Sequence, residues 1–159
     1  MLNVNIICVG KLKESYLRAA IEEYSKRMRT LCKLSVIELA EERTADNPSA
    51  AEIQKTVSAE SERILQKLGK SDYVVAMCIE GRNLSSEELS AKLGEIAQIS
   101  GSVDFIIGGS WGLSDALKAR ADFKLSMGRM TFPHQLFRVM LLEQIYRAFQ
   151  ISKGTKYHK

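Results

Sequence analysis

Apolar residues recur along the chain in two alternating rhythms, one of strands and one of helices. Residues 2–9 (LNVNIICV) form a β-rich run that stops at Gly10. Between Glu14 and Leu31, the apolar positions Leu17, Ile21, Tyr24, Met28 and Leu31 fall three or four residues apart, which predicts an amphipathic helix. Residues 34–39 (LSVIEL) read as a second strand, and the polar stretch 41–52 (EERTADNPSAAE) reads as a loop. A second helix carries Ile53, Val57, Ile64, Leu65 and Leu68 on one side and stops at Gly69. Residues 73–79 (YVVAMCI) are apolar without interruption, the pattern of a central strand covered on both faces. Ser85 and Glu88 make an S-x-x-E capping box that opens a third helix, with Leu89, Leu93 and Ile96 turned inward. Residues 103–107 (VDFII) are a further buried strand, running into GGSWG. A short helix at 114–121, a strand at 123–127 (FKLSM), a connection GRMTFP and a last helix at 134–150 complete the chain.

Strict alternation of strand and helix predicts an α/β fold, a mostly parallel sheet with helices on both faces, in one domain over residues 1–159. Open sheets of this kind bind ligands at the carboxyl ends of their strands. Three such ends are distinctive: 77–81 (MCIEG), 107–112 (IGGSWG) and 126–134 (SMGRMTFPH). Glycine lets a backbone approach a ligand closely. GGSWG nevertheless lacks both the GxGxxG spacing and a P-loop lysine, so a tight turn without a ligand is an equal reading. The third end places Met127, Met130 and Phe132 in a connection. Such side chains need cover from a core, a partner or an aromatic ligand such as adenine.

The last helix lacks the single apolar stripe of the others. Phe137, Val139, Met140, Leu141, Leu142, Ile145, Tyr146 and Phe149 cover most of its circumference. At the edge of a small domain, that predicts a two-fold homodimer through this helix. A central helix in a monomer is the alternative.

Composition narrows the class. Hydrophobic residues at 45% and charged residues at 26% exclude a disordered or fibrous chain, and 159 residues suit a single core. No apolar run is long enough to span a bilayer, and the N-terminal run reads as a first strand rather than a signal peptide, so no membrane partner is expected. Cys8, Cys32 and Cys78 are odd in number and form no CxxC pair, which predicts buried thiols in a reducing, cytoplasmic setting. No metal is expected, because only His134 and His158 could join them and neither has ligand spacing. Charge is uneven. Residues 129–159 hold six bases (Arg129, Arg138, Arg147, Lys153, Lys156 and Lys159) against one acid, Glu143, whereas the rest of the chain holds 17 bases and 18 acids. Basic charge gathered at one end is the footprint of a polyanion binder, or equally of a solvated helix and tail.

Several segments carry a resemblance. VGKLKESYLRAAIEEYSKR, IEGRNLSSEELS, FIIGGSWGLS, MTFPHQLFRVMLLEQIYRAFQI and the terminal YHK together resemble the bacterial RlmH family, over residues 4–159 and in the family's order. These are ribosomal RNA large-subunit pseudouridine N3-methyltransferases of the SPOUT superfamily. The resemblance implies an α/β knot, with the C-terminal segment threaded into a trefoil, against the general rule that chains do not thread. It implies S-adenosyl-L-methionine as cofactor, held at Met77, Gly108 and the run Met127, Gly128, Arg129, Met130, Thr131 and Phe132. It also implies a homodimer acting on 23S ribosomal RNA in the assembled ribosome, with Lys156, Tyr157, His158 and Lys159 as RNA contacts. Trp111 stands where relatives often carry a small or polar residue. Met77 stands where leucine is common.

Methyl transfer to N3 requires that the N3 proton leave. His134 at the start of the last helix can accept a proton near neutral pH, or it can serve as a cap or packing residue there. Arg138 lies four residues on, on the same helical face. It can stabilise negative charge growing on the base or hold a phosphate. Two rivals stand beside this reading. A nucleotide- or flavin-dependent oxidoreductase needs an early phosphate-cradling loop, of which Gly10-Lys11-Leu12-Lys13 is a poor version. A non-catalytic ribosome-binding factor explains the basic C-terminus but leaves the three strand ends without a purpose.

Overall fold

A sheet with two apolar faces needs cover on both, and this chain supplies it by sending alternate helices to opposite sides. The computed structural model describes residues 1–159. Strands β1 (Asn3–Val9), β2 (Lys33–Leu39), β3 (Tyr73–Asn83), β4 (Ser102–Ile107) and β5 (Phe123–Ser126) alternate with helices α1 (Ser15–Met28), α2 (Ala50–Leu65), α3 (Ser86–Ile99), α4 (Asp115–Arg120) and α5 (His134–Ser152). The strands form one sheet in the order β2-β1-β4-β3-β5, with every pair parallel. The expected α/β architecture is thus the observed one.

The two-residue period of each strand sorts its side chains. Val4, Ile6 and Cys8 of β1, with Val103, Phe105 and Ile107 of β4, meet α1, α3 and α5 in the larger core. Ile7 and Val9, with Ile106, Val74 and Ala76, meet Ile64 of α2 and Leu117 of α4 in the smaller one. Full burial of such a side chain is worth about 1.5–3 kcal/mol. The Ser85–Glu88 capping box is present, with reciprocal bonds of 3.1 and 2.6 Å that fix the entry to α3.

Three boundaries differ from the sequence reading. Helix α2 ends at Leu65 rather than Gly69, because Gly69 and Asp72 close a separate turn. Helix α5 runs two residues further than expected, to Ser152. Strand β3 continues four residues past Ile79, to Asn83. Its pairing with β5 breaks between Met77 and Arg82, which releases residues 78–81 from the ladder.

Burial of α5 is also more one-sided than its composition suggested. Arg138, Leu141, Leu142, Ile145 and Ala148 are fully buried. Phe137, Val139, Tyr146 and Phe149 pack partly against the larger core of the same chain. Leu136, 40% exposed, and the half-buried Met140 and Ile151 are what remains uncovered. The basic excess shrinks as well. Arg138 pairs with Glu38 and Arg147 with Glu143, so Arg129, Lys153, Lys156 and Lys159 are its unpaired cations. No helix is long and apolar enough to cross a membrane.

Candidate active site

The path of the chain after β5 creates the site. Strand β5 lies at the edge beyond β3, yet α5 begins against the end of β1. Residues 127–133 therefore cross the carboxyl ends of β3 and β4. Beneath the crossing lies a cleft of about 250 Å³, open to solvent along one side.

All three distinctive strand ends meet there. Met77 comes from β3 and Gly108 from the end of β4. Met127, Gly128, Met130, Thr131 and Phe132 come from the crossing segment. Arg129 alone of the expected cofactor run is off the lining, and it is exposed. The break in β3 turns residues 78–80 into another wall. The opposite wall is a turn closed by Gly112 N–H donating to the Gly109 carbonyl at 3.1 Å. A Cβ on Gly108 would stand 2.7 Å from the Gly112 backbone, and Gly112 has φ +84°, so both positions of this turn require glycine.

The lining is mainly apolar, with free polar groups along one side. No backbone N–H or C=O of residues 129–132 makes a hydrogen bond within the chain. A polar element the sequence reading missed is the ion pair between Lys118 Nζ and Glu80 Oε1 at 2.5 Å. The bond to Lys118 holds the Glu80 carboxyl below its usual range. Glu80 lay within a flagged strand end, but Lys118 sits on α4 and no local pattern announces it. Phe137, which completes the apolar wall, was read only as part of the last helix.

His134 is half-buried at the first position of α5, between this cleft and a second one of about 340 Å³. Its ring makes no hydrogen bond within the chain, and the start of α5 has no side-chain cap. Burial, then the nearby Arg138 charge, push its pKa below the ordinary histidine value, with Glu41 opposing. The imidazole is thus neutral at pH 7 and has a nitrogen free to accept a proton.

Arg138 lines the second cleft together with His134. It is 1% exposed. One terminal nitrogen donates to Glu38 Oε2 at 2.9 Å. The other donates to the carbonyls of Val9 and Gly10, both at 2.8 Å. Its Nε is buried without a partner. Arg138 thus ties α5 to the end of β1, and it does so from the lining of the cleft it shares with His134. Spacing along α5 could show which face Arg138 shares with His134 but not that β1 waits opposite.

The tail is folded back rather than frayed. Tyr157 packs edge-on against Tyr146, with ring centroids 4.9 Å apart, under the Arg147 guanidinium. Its hydroxyl donates to Glu143 at 3.2 Å. His158 meets Glu87 at the start of α3 at 2.6 Å. Lys156 and Lys159 remain exposed, and none of the four tail residues lines the main cleft.

Known proteins resemble this chain. The family model described as "Predicted SPOUT methyltransferase" matches residues 2–158. Ribosomal RNA large subunit methyltransferase H of Clostridium acetobutylicum is 52% identical over 159 residues, covering 99% of this chain and all of the relative. The protein of that name from Leuconostoc mesenteroides is 51% identical over 160 residues, with the same coverage. The one from Clostridioides difficile is 48% identical over 159 residues. Among solved structures, a probable methylase family protein from Haemophilus influenzae Rd KW20 superposes with a TM-score of 0.54 at 12% identity. The match covers 98% of this chain and 70% of that one, and it speaks for the fold alone. Matched by the family model from residue 2 to residue 158, and half identical to relatives from end to end, the chain belongs to the SPOUT methyltransferase family.

Proposed function

We propose that this protein is an S-adenosyl-L-methionine-dependent methyltransferase that modifies N3 of a pseudouridine in 23S ribosomal RNA, acting on the assembled ribosome in the cytoplasm. One observation carries the reading: three strand ends converge on an apolar cleft with a neutral, unbonded histidine at its edge. The names of the half-identical relatives supply the substrate class.

The residues present fit the cofactor. An adenine needs apolar walls and a few backbone partners. Met77, Leu125 and Phe132 offer the walls, and the free backbone groups of residues 129–132 offer the partners. Gly108 lets the Gly109–Gly112 turn pack close against the end of β4, which shapes that wall of the cleft. When bound, the cofactor supplies a methyl group on a sulfonium centre.

The chain's own contribution is alignment and proton removal. Correct alignment of two reactants is worth roughly 7–11 kcal/mol. His134 takes the N3 proton on its free ring nitrogen. Arg138 is a positioning residue: it fixes the start of α5 against β1, and its charge adds to burial in lowering the neighbouring imidazole's pKa. The exposed Arg129, the lysines Lys156 and Lys159, and the aromatic Tyr157 and His158 contact the RNA.

The crossing of residues 127–133 over the sheet supports a trefoil-knotted C-terminus. The uncovered Leu136 and Met140 on α5 support a two-fold homodimer through that helix. The test of the function is tritiated methyl transfer onto purified ribosomes and, separately, onto free subunits, followed by mapping of the labelled nucleotide. Label on a large-subunit pseudouridine is expected. A protein that binds ribosomes but takes no S-adenosylmethionine in calorimetry refutes it.

A further inference from the structure

The break in β3 holds one charged side chain at the cleft wall. Residues 78–81 leave the ladder between Met77 and Arg82. Gly81 lies flat against β5, where a Cβ would stand 2.7 Å from the carbonyl carbons of Lys124 and Leu125, so only glycine lets the bulge pack this close. Glu80, one residue earlier, is thereby fixed in the lining of the main cleft, as is Leu125. Lys118 reaches it from α4, with Nζ 2.5 Å from Glu80 Oε1. No other residue donates to this carboxyl, which the Lys118 bond keeps ionised, and the Glu80 side chain is 53% exposed. Its Oε2 therefore stays open as an acceptor.

Glu80 and Lys118 are the only charged side chains on the main cleft, whose other lining residues are apolar or neutral. They stand at its far end from the histidine. Neither lines the second cleft, whereas His134 lines both. In the run β1-β4-β3 of the sheet, the end of β3 lies two strands, about 10 Å, from the end of β1 against which α5 begins. With the proton acceptor on the β1 side, the sulfonium and the amino-acid chain it carries belong on that side. The adenosine half then belongs on the β3 side, among Met77, Leu125 and Phe132. The free backbone groups of residues 129–132 serve the base, which leaves the two ribose hydroxyls without partners. Hydroxyls donate, and an ionised carboxylate only accepts, through two oxygens. A carboxylate on a ribose hydroxyl is also the pairing that nucleotide-binding α/β sheets use.

We infer that Glu80 binds the ribose hydroxyls of the cofactor, and that Lys118 is the positioning residue that aims its carboxylate. The inference rests on the function proposed above and adds the group that selects a ribonucleoside. Capture of the cofactor's own carboxylate by Lys118 is the competing chemistry for such an ion pair, and the ligands below separate the two.

Three ligands are compared by calorimetry: S-adenosylhomocysteine, its 2′,3′-dideoxy analogue, and 5′-methylthioadenosine, which keeps the ribose and lacks the amino-acid chain. The parent protein is expected to bind the dideoxy analogue about tenfold or more weakly than S-adenosylhomocysteine, the loss of hydrogen bonds to a charged acceptor. Glu80→Ala is expected to weaken S-adenosylhomocysteine and 5′-methylthioadenosine by that same factor and to leave the dideoxy analogue as the parent binds it. Lys118→Met is expected to weaken the two ribose-bearing ligands alike, by a smaller factor. Equal affinity of the parent for S-adenosylhomocysteine and the dideoxy analogue overturns the inference without need of any variant. Equal weakening of all three ligands by Glu80→Ala also overturns it, because the residue then only shapes the wall. A loss in Lys118→Met confined to S-adenosylhomocysteine assigns the pair to the amino-acid chain and overturns it too. If the parent binds none of the three, the proposed function fails. If it binds S-adenosylhomocysteine but ignores the hydroxyls, only the ribose site fails.

Discussion

Replacing Arg138 by methionine keeps the length of the side chain and removes its charge and donors. Three hydrogen bonds disappear, to Glu38, Val9 and Gly10. Removing one partner of a buried ion pair costs about 3–5 kcal/mol. The lower end applies here, because the Glu38 side chain is 33% exposed and still accepts the Leu12 N–H at 2.7 Å. A loss of about 3 kcal/mol, with a urea slope of about 2 kcal/mol/M, lowers the midpoint by about 1.5 M. The assay is urea denaturation followed by circular dichroism, beside methyl transfer across pH. Because the Arg138 charge pushes the His134 pKa down, its removal is expected to move the acid limb of kcat to higher pH. A midpoint shift below about 0.5 M would refute the structural tie. A large loss of turnover with an unchanged midpoint would return Arg138 to direct contact with substrate.

His134→Ala is expected to lower kcat for ribosome methylation by about 100-fold or more while leaving cofactor Kd near normal, and unchanged turnover removes His134 from the chemistry. Gly108→Ala is expected to weaken S-adenosylmethionine binding in calorimetry, since its Cβ would collide with the Gly112 backbone; full affinity would mean the turn yields. Asp104 is fully buried, and burial raises its carboxyl to about 6, so the folded state holds the proton more tightly than the unfolded chain. The charged form therefore costs stability above pH 6, and this cost fades as pH falls. Between pH 8 and pH 5, stability of the parent relative to Asp104→Asn is expected to rise by roughly 1–2 kcal/mol in urea melts, and a constant difference refutes it. Deleting residues 156–159 is expected to weaken ribosome binding in sedimentation assays without changing cofactor Kd, and loss of cofactor binding points to a structural tail. Met140→Glu is expected to shift the protein from dimer to monomer in analytical ultracentrifugation, and an unchanged mass refutes the α5 interface.

What the sequence disclosed depended on the range of the interaction. Elements with their own signal were legible: the Leu89, Leu93 and Ile96 spacing, the Ser85–Glu88 box and the unbroken apolar run of β3 each depend on neighbours a few residues apart. The strand ends were legible for the same reason, because glycine and methionine at a β–α junction are local facts. The RNA-large-subunit assignment was legible only through resemblance. The partners of Arg138 were hidden, because Val9 and Gly10 lie at the far end of the chain. The break in β3 was hidden too, since the pairing of Met77 and then Arg82 with β5 is set by a strand formed more than forty residues later. The apolar circumference of α5 was legible, but not that α1, α3 and the returning tail cover much of it within one chain.

The crossing segment has a consequence for the protein's own synthesis. Everything that closes the cleft from above, and the histidine beside it, is encoded after residue 126. The clasp between first strand and last helix joins residues nearly the whole chain apart. Contacts so distant along the chain carry the largest loop-closure cost and are slow to form. All five strands are encoded by residue 126, so the sheet's sequence is complete before the segment that roofs the cleft has been added.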